Sequence, residues 1–269
     1  MIDTHCHIIP KFDFNNPEQT ISNAISAGVN KFIAIGCDFP DIEEVFILKK
    51  AYPEQIFLAV GLHPECVQED SNIDEMWLQF YEIVMKNKDE IFAIGECGLD
   101  YHYANKEIEE TAENIHIMQR DLFRRHIELS IETDKPLVIH TRDAWEDTFS
   151  ILDEFDVKNK KTNHHVITDR GEFPNMNIDM TCGVIHSFTG GVDEAKKSIE
   201  RGFKLGINGI VTFKNKTAEP IREAVKFAGK ENIVFETDSP FLSPEPYRGA
   251  RNEPARIKDI AEFVEQLLS

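Results

Sequence analysis

Positive charge is in short supply. Lys and Arg number 29 against 48 Asp and Glu, which leaves a formal net charge of −19. Such an acidic chain is a poor non-specific binder of duplex DNA, because that binding rests on phosphate neutralisation by a basic surface. A nucleic-acid substrate then requires metal ions and a few local cations to do the neutralising. Cysteine is sparse too: five residues, an odd number, with no CxxC pair. That argues against a disulfide framework or a thiolate zinc site and fits a reducing cytosol. No apolar run approaches the roughly 20 residues that span a bilayer. The N-terminal Met1-Ile2-Asp3-Thr4-His5 lacks a basic segment followed by an apolar one. The expectation is a soluble, unsecreted protein, cytoplasmic or (in a nucleated cell) nuclear, with no membrane partner and no obligate protein partner.

What is present is a globular composition, 41% hydrophobic and 29% charged. Short apolar runs alternate with helical stretches from end to end. The predicted strands are Ile2–Ile8, Phe32–Gly36, Phe57–Gly61, Phe92–Glu96, Leu137–His140, Gly183–Ser187, Phe203–Ile207 and Ile233–Thr237. Their nearly continuous hydrophobicity is that of parallel strands covered by helices. Asn114–Thr133 carries Ile115, Met118, Leu122 and Leu129 at helical spacing. Ser71 is a candidate N-cap, Gly28 and Gly202 read as helix stops, and Pro254 precedes the last helix. Eight strand–helix repeats in some 250 residues predict one (β/α)8 barrel over 1–269, of the TIM type. An inserted polar loop near residues 158–180, with Lys158–Lys161, His164-His165 and Arg170-Gly171, breaks the rhythm. Following a helix and preceding a strand, it belongs on the N-terminal face, away from chemistry, with its histidines solvated.

The residues closing these strands are His5 and His7, then His63, Glu96, His140, His186 and Asp238. A barrel gathers such positions at one mouth. His5 and His7 share a strand face while Cys6 points away. Glu96 closes an apolar strand and needs a cation there; its two oxygens can bridge two metals. His140 and His186 stand at equivalent strand ends. One oxygen of Asp238 can hold a metal while the other takes a proton from water. Glu236, on the same face but deeper, reads as a buried barrel layer. His5, His7, Glu96, His140, His186 and Asp238 suit zinc, manganese or magnesium.

With these residues in place the chain resembles the TatD family of metal-dependent deoxyribonucleases, within the amidohydrolase-like barrels, almost end to end. The likeness rests on Asp3-Thr4-His5-Cys6-His7, Gly61-Leu62-His63-Pro64, Gly95-Glu96-Cys97-Gly98-Leu99-Asp100-Tyr101 and His140-Thr141-Arg142. It continues through His186-Ser187-Phe188-Thr189-Gly190, Glu236-Thr237-Asp238-Ser239-Pro240 and Arg251-Asn252-Glu253-Pro254. Ser187 departs from the cysteine common there, and the inserted loop is longer than usual. The resemblance implies two divalent cations, the first held by His5, His7, Glu96 and Asp238, the second by Glu96, His140 and His186.

It also implies hydrolysis of phosphodiester bonds from a 3′ end, on DNA or RNA, with single-stranded DNA ends as the substrate partner. Asp238 and Glu96 are then the catalytic pair. Arg142, Arg248 and Arg251 are candidate phosphate contacts, extended by Lys214 and Lys216, and His63 and Tyr101 border the site. The rival activities are D-aminoacyl-tRNA deacylation and small-molecule amidohydrolase or lactonase chemistry. Many such amidohydrolases bridge their metals with a carboxylated lysine, but the corresponding strand ends here carry Glu96 and His140. None of the mouth histidines has the Glu three positions on that a nucleoside deaminase uses.

Overall fold

A computed structural model describes the chain except for residues 13, 15, 105, 156, 158–165, 169–176 and 181. Eight parallel strands form the barrel sheet. They are β1 (Ile2–Cys6), β2 (Lys31–Gly36), β3 (Ile56–Val60), β4 (Ile91–Asp100), β5 (Leu137–Arg142), β8 (Gly183–Ile185), β9 (Lys204–Ile207) and β10 (Ile233–Phe235), paired in that order. Between β5 and β8 the chain adds an antiparallel pair, β6 (Val166–Thr168) and β7 (Asn177–Asp179). All eight predicted barrel strands are present. The insert is therefore more regular than a loop, while His164-His165, Lys158–Lys161 and Arg170-Gly171 lie outside the described residues.

The seam between last and first strands closes just past β10. There Cys6 bridges Ser239, the Asp238 N–H donates to the His5 carbonyl at 2.9 Å, and the His7 N–H donates to the Ser239 carbonyl at 2.9 Å. Buried Asp3 stitches the same seam, accepting from the Thr237 N–H at 2.9 Å and the Thr237 hydroxyl at 2.6 Å.

The helices are α1 (Pro17–Ser26), α2 (Phe39–Ala51), α3 (Ile73–Lys86), α4 (Tyr101–Ala104), α5 (Glu109–Glu132), α6 (Trp145–Asp153), α7 (Val192–Glu200), α8 (Glu219–Ala228) and α9 (Ile257–Leu268). Asp38 caps α2 by accepting from the Asp41 N–H at 2.8 Å. Asn72, not Ser71, caps α3: its side chain accepts from the Glu75 N–H, while Ser71 Oγ turns back to the Gln68 N–H. Gly28 and Gly202 follow α1 and α7 with φ of 90° and 85°, and Pro254 opens a 3₁₀ turn into α9. Among the described residues no helix is long and apolar enough to cross a membrane.

Two hydrophobic layers follow from strand alternation. Inside the barrel pack Ile2, Ile33, Ile35, Ala59, Ala93, Val138, Val184 and Val234. Phe32, Ala34, Leu58, Val60, Ile94, Leu137, Ile139, Ile185 and Ile233 face outward against the helices. Met180, just ahead of β8, is fully buried in the inner layer, so the end of the insert packs into the barrel.

Candidate metal centre

Alternation alone would turn three of the predicted ligands, His5, His7 and Glu96, the wrong way. In β1, Asp3 pairs Phe32 and Cys6 pairs Ala34, so Thr4 and His5 together oppose Ile33. In β4, Ile94 pairs Leu137 and Cys97 pairs Ile139, so Gly95 and Glu96 together oppose Val138. Each is a β-bulge, and the extra residue flips the parity so that His5, His7 and Glu96 point into the barrel. The second bulge needs glycine. A Cβ on Gly95, at φ 139°, would sit 2.3 Å from the Val138 carbonyl oxygen, and one on Gly98, at φ 134°, would sit 2.0 Å from that of His140. The strand does not stop at Glu96 as its polarity predicts; it runs on, paired with β5, to Asp100.

The six side chains converge. His5 Nε2 lies 3.3 Å from His7 Nε2, 3.3 Å from Glu96 Oε2 and 3.8 Å from Asp238 Oδ1, and His7 Nε2 lies 3.5 Å from Asp238 Oδ1. The other glutamate oxygen, Oε1, lies 2.9 Å from His140 Nδ1 and 3.5 Å from His186 Nε2. The rings of His5 and His186 stack at 3.4 Å. Two ligands held about 2.1 Å from a tetrahedral ion stand about 3.4 Å apart. The donor spacing on both sides of Glu96 therefore fits a divalent cation, and the donors are imidazole and carboxylate with no thiolate among these six. Cys6 turns away, its thiol pointing to the Ile33 carbonyl.

Further carboxylates steer the histidines. Asp100 Oδ2 lies 3.0 Å from His140 Nε2, and Glu236 Oε1 lies 3.1 Å from His186 Nδ1 while accepting the Ser187 N–H at 2.6 Å. Each imidazole thus keeps one nitrogen for the centre and the other for a carboxylate, the arrangement that orients metal-bound histidines. Burial alone would depress both imidazoles. Glu236 and Glu96 instead lift His186 to about 10, and Asp100 and Glu96 lift His140 to about 9. Burial would raise Glu96 and Asp238, but His186, His63 and His5 hold Glu96 well below the carboxylate range, and His7, His186 and His5 hold Asp238 below it. The glutamate and aspartate are anionic donors.

His63 is placed differently. Its Nδ1 accepts the Glu65 N–H at 3.1 Å, so the neutral ring carries its proton on Nε2, 3.4 Å from Glu96 Oε1. It presents a donor to the centre. Around these residues opens a cleft of about 740 Å³ that Lys11, Phe12, Cys37, Asp38, Asp100, Arg142 and Phe241 also line.

The outlying candidates fare unevenly. Arg142 lines the cleft, 3.9 Å from Asp100. Tyr101 does not: its ring stacks on His116 at 3.8 Å, and its hydroxyl donates to Asp147 at 2.6 Å and accepts from Arg120. Arg248 and Arg251 lie over the rings of Phe213 and Phe14, at 4.3 and 3.9 Å, outside the cleft lining. Lys214 lines a separate groove with Glu219 and Arg222, and Lys216 is exposed. Sequence reasoning passed over Lys11, Phe12, Cys37 and the orienting role of Asp100. Only Asp100 had a signal, a carboxylate at the end of a conspicuous glycine-rich strand.

Comparison with known proteins gives the family and the fold. A family model described as TatD related DNase matches residues 2–269. An uncharacterized metal-dependent hydrolase of Bacillus subtilis, YabD, is 31% identical over 99% of this chain and 91% of its own length. One from Buchnera aphidicola is 33% identical over 99% and 88%. Among solved structures, the TatD homolog YjjV of Escherichia coli superposes with a TM-score of 0.80 at 23% identity, covering 99% of this chain and 90% of that one.

Proposed function

The chain belongs to the TatD related DNase family and is a metal-dependent hydrolase; from that premise we propose that it cleaves phosphodiester bonds, releasing nucleotides from the 3′ end of DNA or RNA strands. The reading is carried by one observation: the two oxygens of Glu96 face two different histidine groups, His5 with His7 on one side and His140 with His186 on the other. That is the donor arrangement of a paired-cation site, with zinc, manganese or magnesium as the resident ions. When bound, such ions polarise a phosphoryl oxygen and acidify the attacking water.

The protein's own groups do the rest. Asp238 lines the cleft with Oδ1 facing His5 and His7, and takes the water's proton at its other oxygen. Burial would raise its pKa, but His7, His186 and His5 hold it below the usual carboxylate range, so it is ionised at neutral pH and has an oxygen free of any proton. The Nε2–H of His63 donates to a phosphoryl or departing oxygen, and Arg142 pairs with a phosphate on the cleft wall. The net charge of −19 makes this local cationic help necessary.

The test is to strip the protein with chelator, restore single metals, and assay labelled single- and double-stranded oligonucleotides beside lactone and amide panels. Oligonucleotide cleavage that Asp238→Asn abolishes without changing the fold is the expected result. Intact oligonucleotides with turnover of a lactone, an amide or a D-aminoacyl ester would overturn the nuclease reading.

A further inference from the structure

One wall of the cleft is aromatic and is used by nothing described so far. Phe12 and Phe241 meet edge to face, centroids 5.5 Å apart and planes 80° apart. Both stand against His7, at 5.2 and 6.2 Å between ring centroids. The wall therefore begins at the side of the centre formed by His5, His7 and Asp238.

Phe241 is 46% exposed. A single exposed phenyl ring is ordinary on a surface; what sets this one apart is that it lines the cleft, beside Phe12 and His7. Its backbone is firmly held. The Phe241 N–H donates to the Asp238 carbonyl at 2.8 Å, and its own carbonyl accepts from the side chain of fully buried Asn252 at 2.7 Å. The same amide also donates to the Thr237 carbonyl. A buried polar side chain thus anchors an exposed apolar one next to the proposed base.

Phe12 sits in a short 3₁₀ turn with the Lys11 ammonium 5.4 Å from its ring. Lys11 is in turn paired with Asp38 at 2.8 Å and Asp41 at 3.0 Å. Those carboxylates offset its charge, so this wall is not a phosphate clamp. With their planes 80° apart only one of the two rings can present its face, so what the wall offers is a single aromatic face, backed by the other ring, beside the centre. A nucleotide has one flat apolar face to match it, its base; sugar and phosphate have none.

Resting on the nuclease reading, we propose that Phe12 and Phe241 form a stacking platform for the base of the nucleotide whose phosphodiester occupies the centre. The rings carry no hydrogen-bonding group, so the platform distinguishes a base from no base and reads no sequence.

The experiment uses the metal-loaded protein and two sets of single-stranded oligonucleotides, alike except that the 3′-terminal residue either carries its base or is abasic. The wild type should prefer the base-bearing ends by roughly ten- to hundredfold in kcat/KM, the range aromatic stacking supplies. Phe241→Ala should bring that ratio close to one, Phe241→Trp should keep it, and Phe241→Leu should fall between. Phe241 is half out in solvent, so these variants test recognition with the core undisturbed. A wild-type ratio near one, or a ratio that survives Phe241→Ala, overturns the platform while leaving the nuclease reading standing. Failure to cleave either set overturns the nuclease reading and the platform with it.

Discussion

Asp100 Oδ2 lies 3.0 Å from Nε2 of His140, on the opposite side of the ring from the nitrogen that faces Glu96. The aspartate fixes the tautomer and angle of the imidazole. Asp100→Ala should therefore weaken the second metal site by about 10- to 100-fold. Asp100→Asn should lose less, because its amide oxygen still accepts the Nε2–H. A competition titration against a chromophoric chelator reads both. Equal affinity in all three proteins would show that Asp100 has no part in holding the ion.

Glu96 belongs to both donor groups and His186 to one side of it, so their removal should differ in kind. Glu96→Ala should lose both ions after dialysis, and His186→Ala should keep one. Metal analysis gives the count, and thermal unfolding gives an independent reading. Cation at a hundredfold excess over its dissociation constant stabilises the fold by about 2.7 kcal/mol, which for a chain of this size raises Tm by roughly 5–10 °C. The shift should vanish in Glu96→Ala and persist in reduced form in His186→Ala. Full metal content in Glu96→Ala would refute a bridging role.

The barrel and its six converging side chains were legible in the sequence because each stands at the end of a predicted strand, and strand ends meet at one mouth whatever lies between. The route by which three of them arrive there was not. Strict alternation from Ile2 and Ala93, both in the inner layer, would send His5, His7 and Glu96 outward. The two bulges that reverse this are a matter of cross-strand register, which no single strand displays. Tyr101, Arg248 and Arg251 come from segments that leave the mouth in sequence, but their neighbours His116, Phe213 and Phe14 draw them off it. Such pairings are made by distant elements. Phe12 and Phe241 come from opposite ends of the chain, and only the closing seam brings them together.

Gly98 is where the bulged strand should prove least tolerant. Its φ is 134°, and an added Cβ would meet the His140 carbonyl oxygen at 2.0 Å. Gly98→Ala combines a disfavoured backbone with a clash against the strand that carries His140, and should destabilise by roughly 2–5 kcal/mol. Urea unfolding measures this as a lower midpoint at unchanged slope. A change within about 0.5 kcal/mol would mean that β4 and β5 separate locally without harm.

His126 sets an acid limit on stability that is independent of the ligands. Fully buried in α5, it accepts the Leu62 N–H on Nε2 at 3.1 Å, and its Nδ1 faces the Leu122 carbonyl at 2.8 Å. Both nitrogens are occupied only in the neutral ring. Burial, partly offset by the Leu122 carbonyl, lowers its pKa from 6.5 to about 4. Between those values the unfolded chain binds a proton that the folded chain refuses, so stability rises with pH through this window and is complete above about 6.5. The whole span is worth about 3 kcal/mol. Lowering the pH from 7 to 4 in chelator-treated protein should therefore destabilise the wild type more steeply than His126→Gln, which has no proton to take up. Because Leu62 precedes His63, the acid-loosened segment is the one that carries a residue of the cleft. Parallel pH profiles of unfolding free energy for the two proteins would show that the ring takes up its proton at the same pH folded and unfolded, against the burial and the accepted Leu62 N–H.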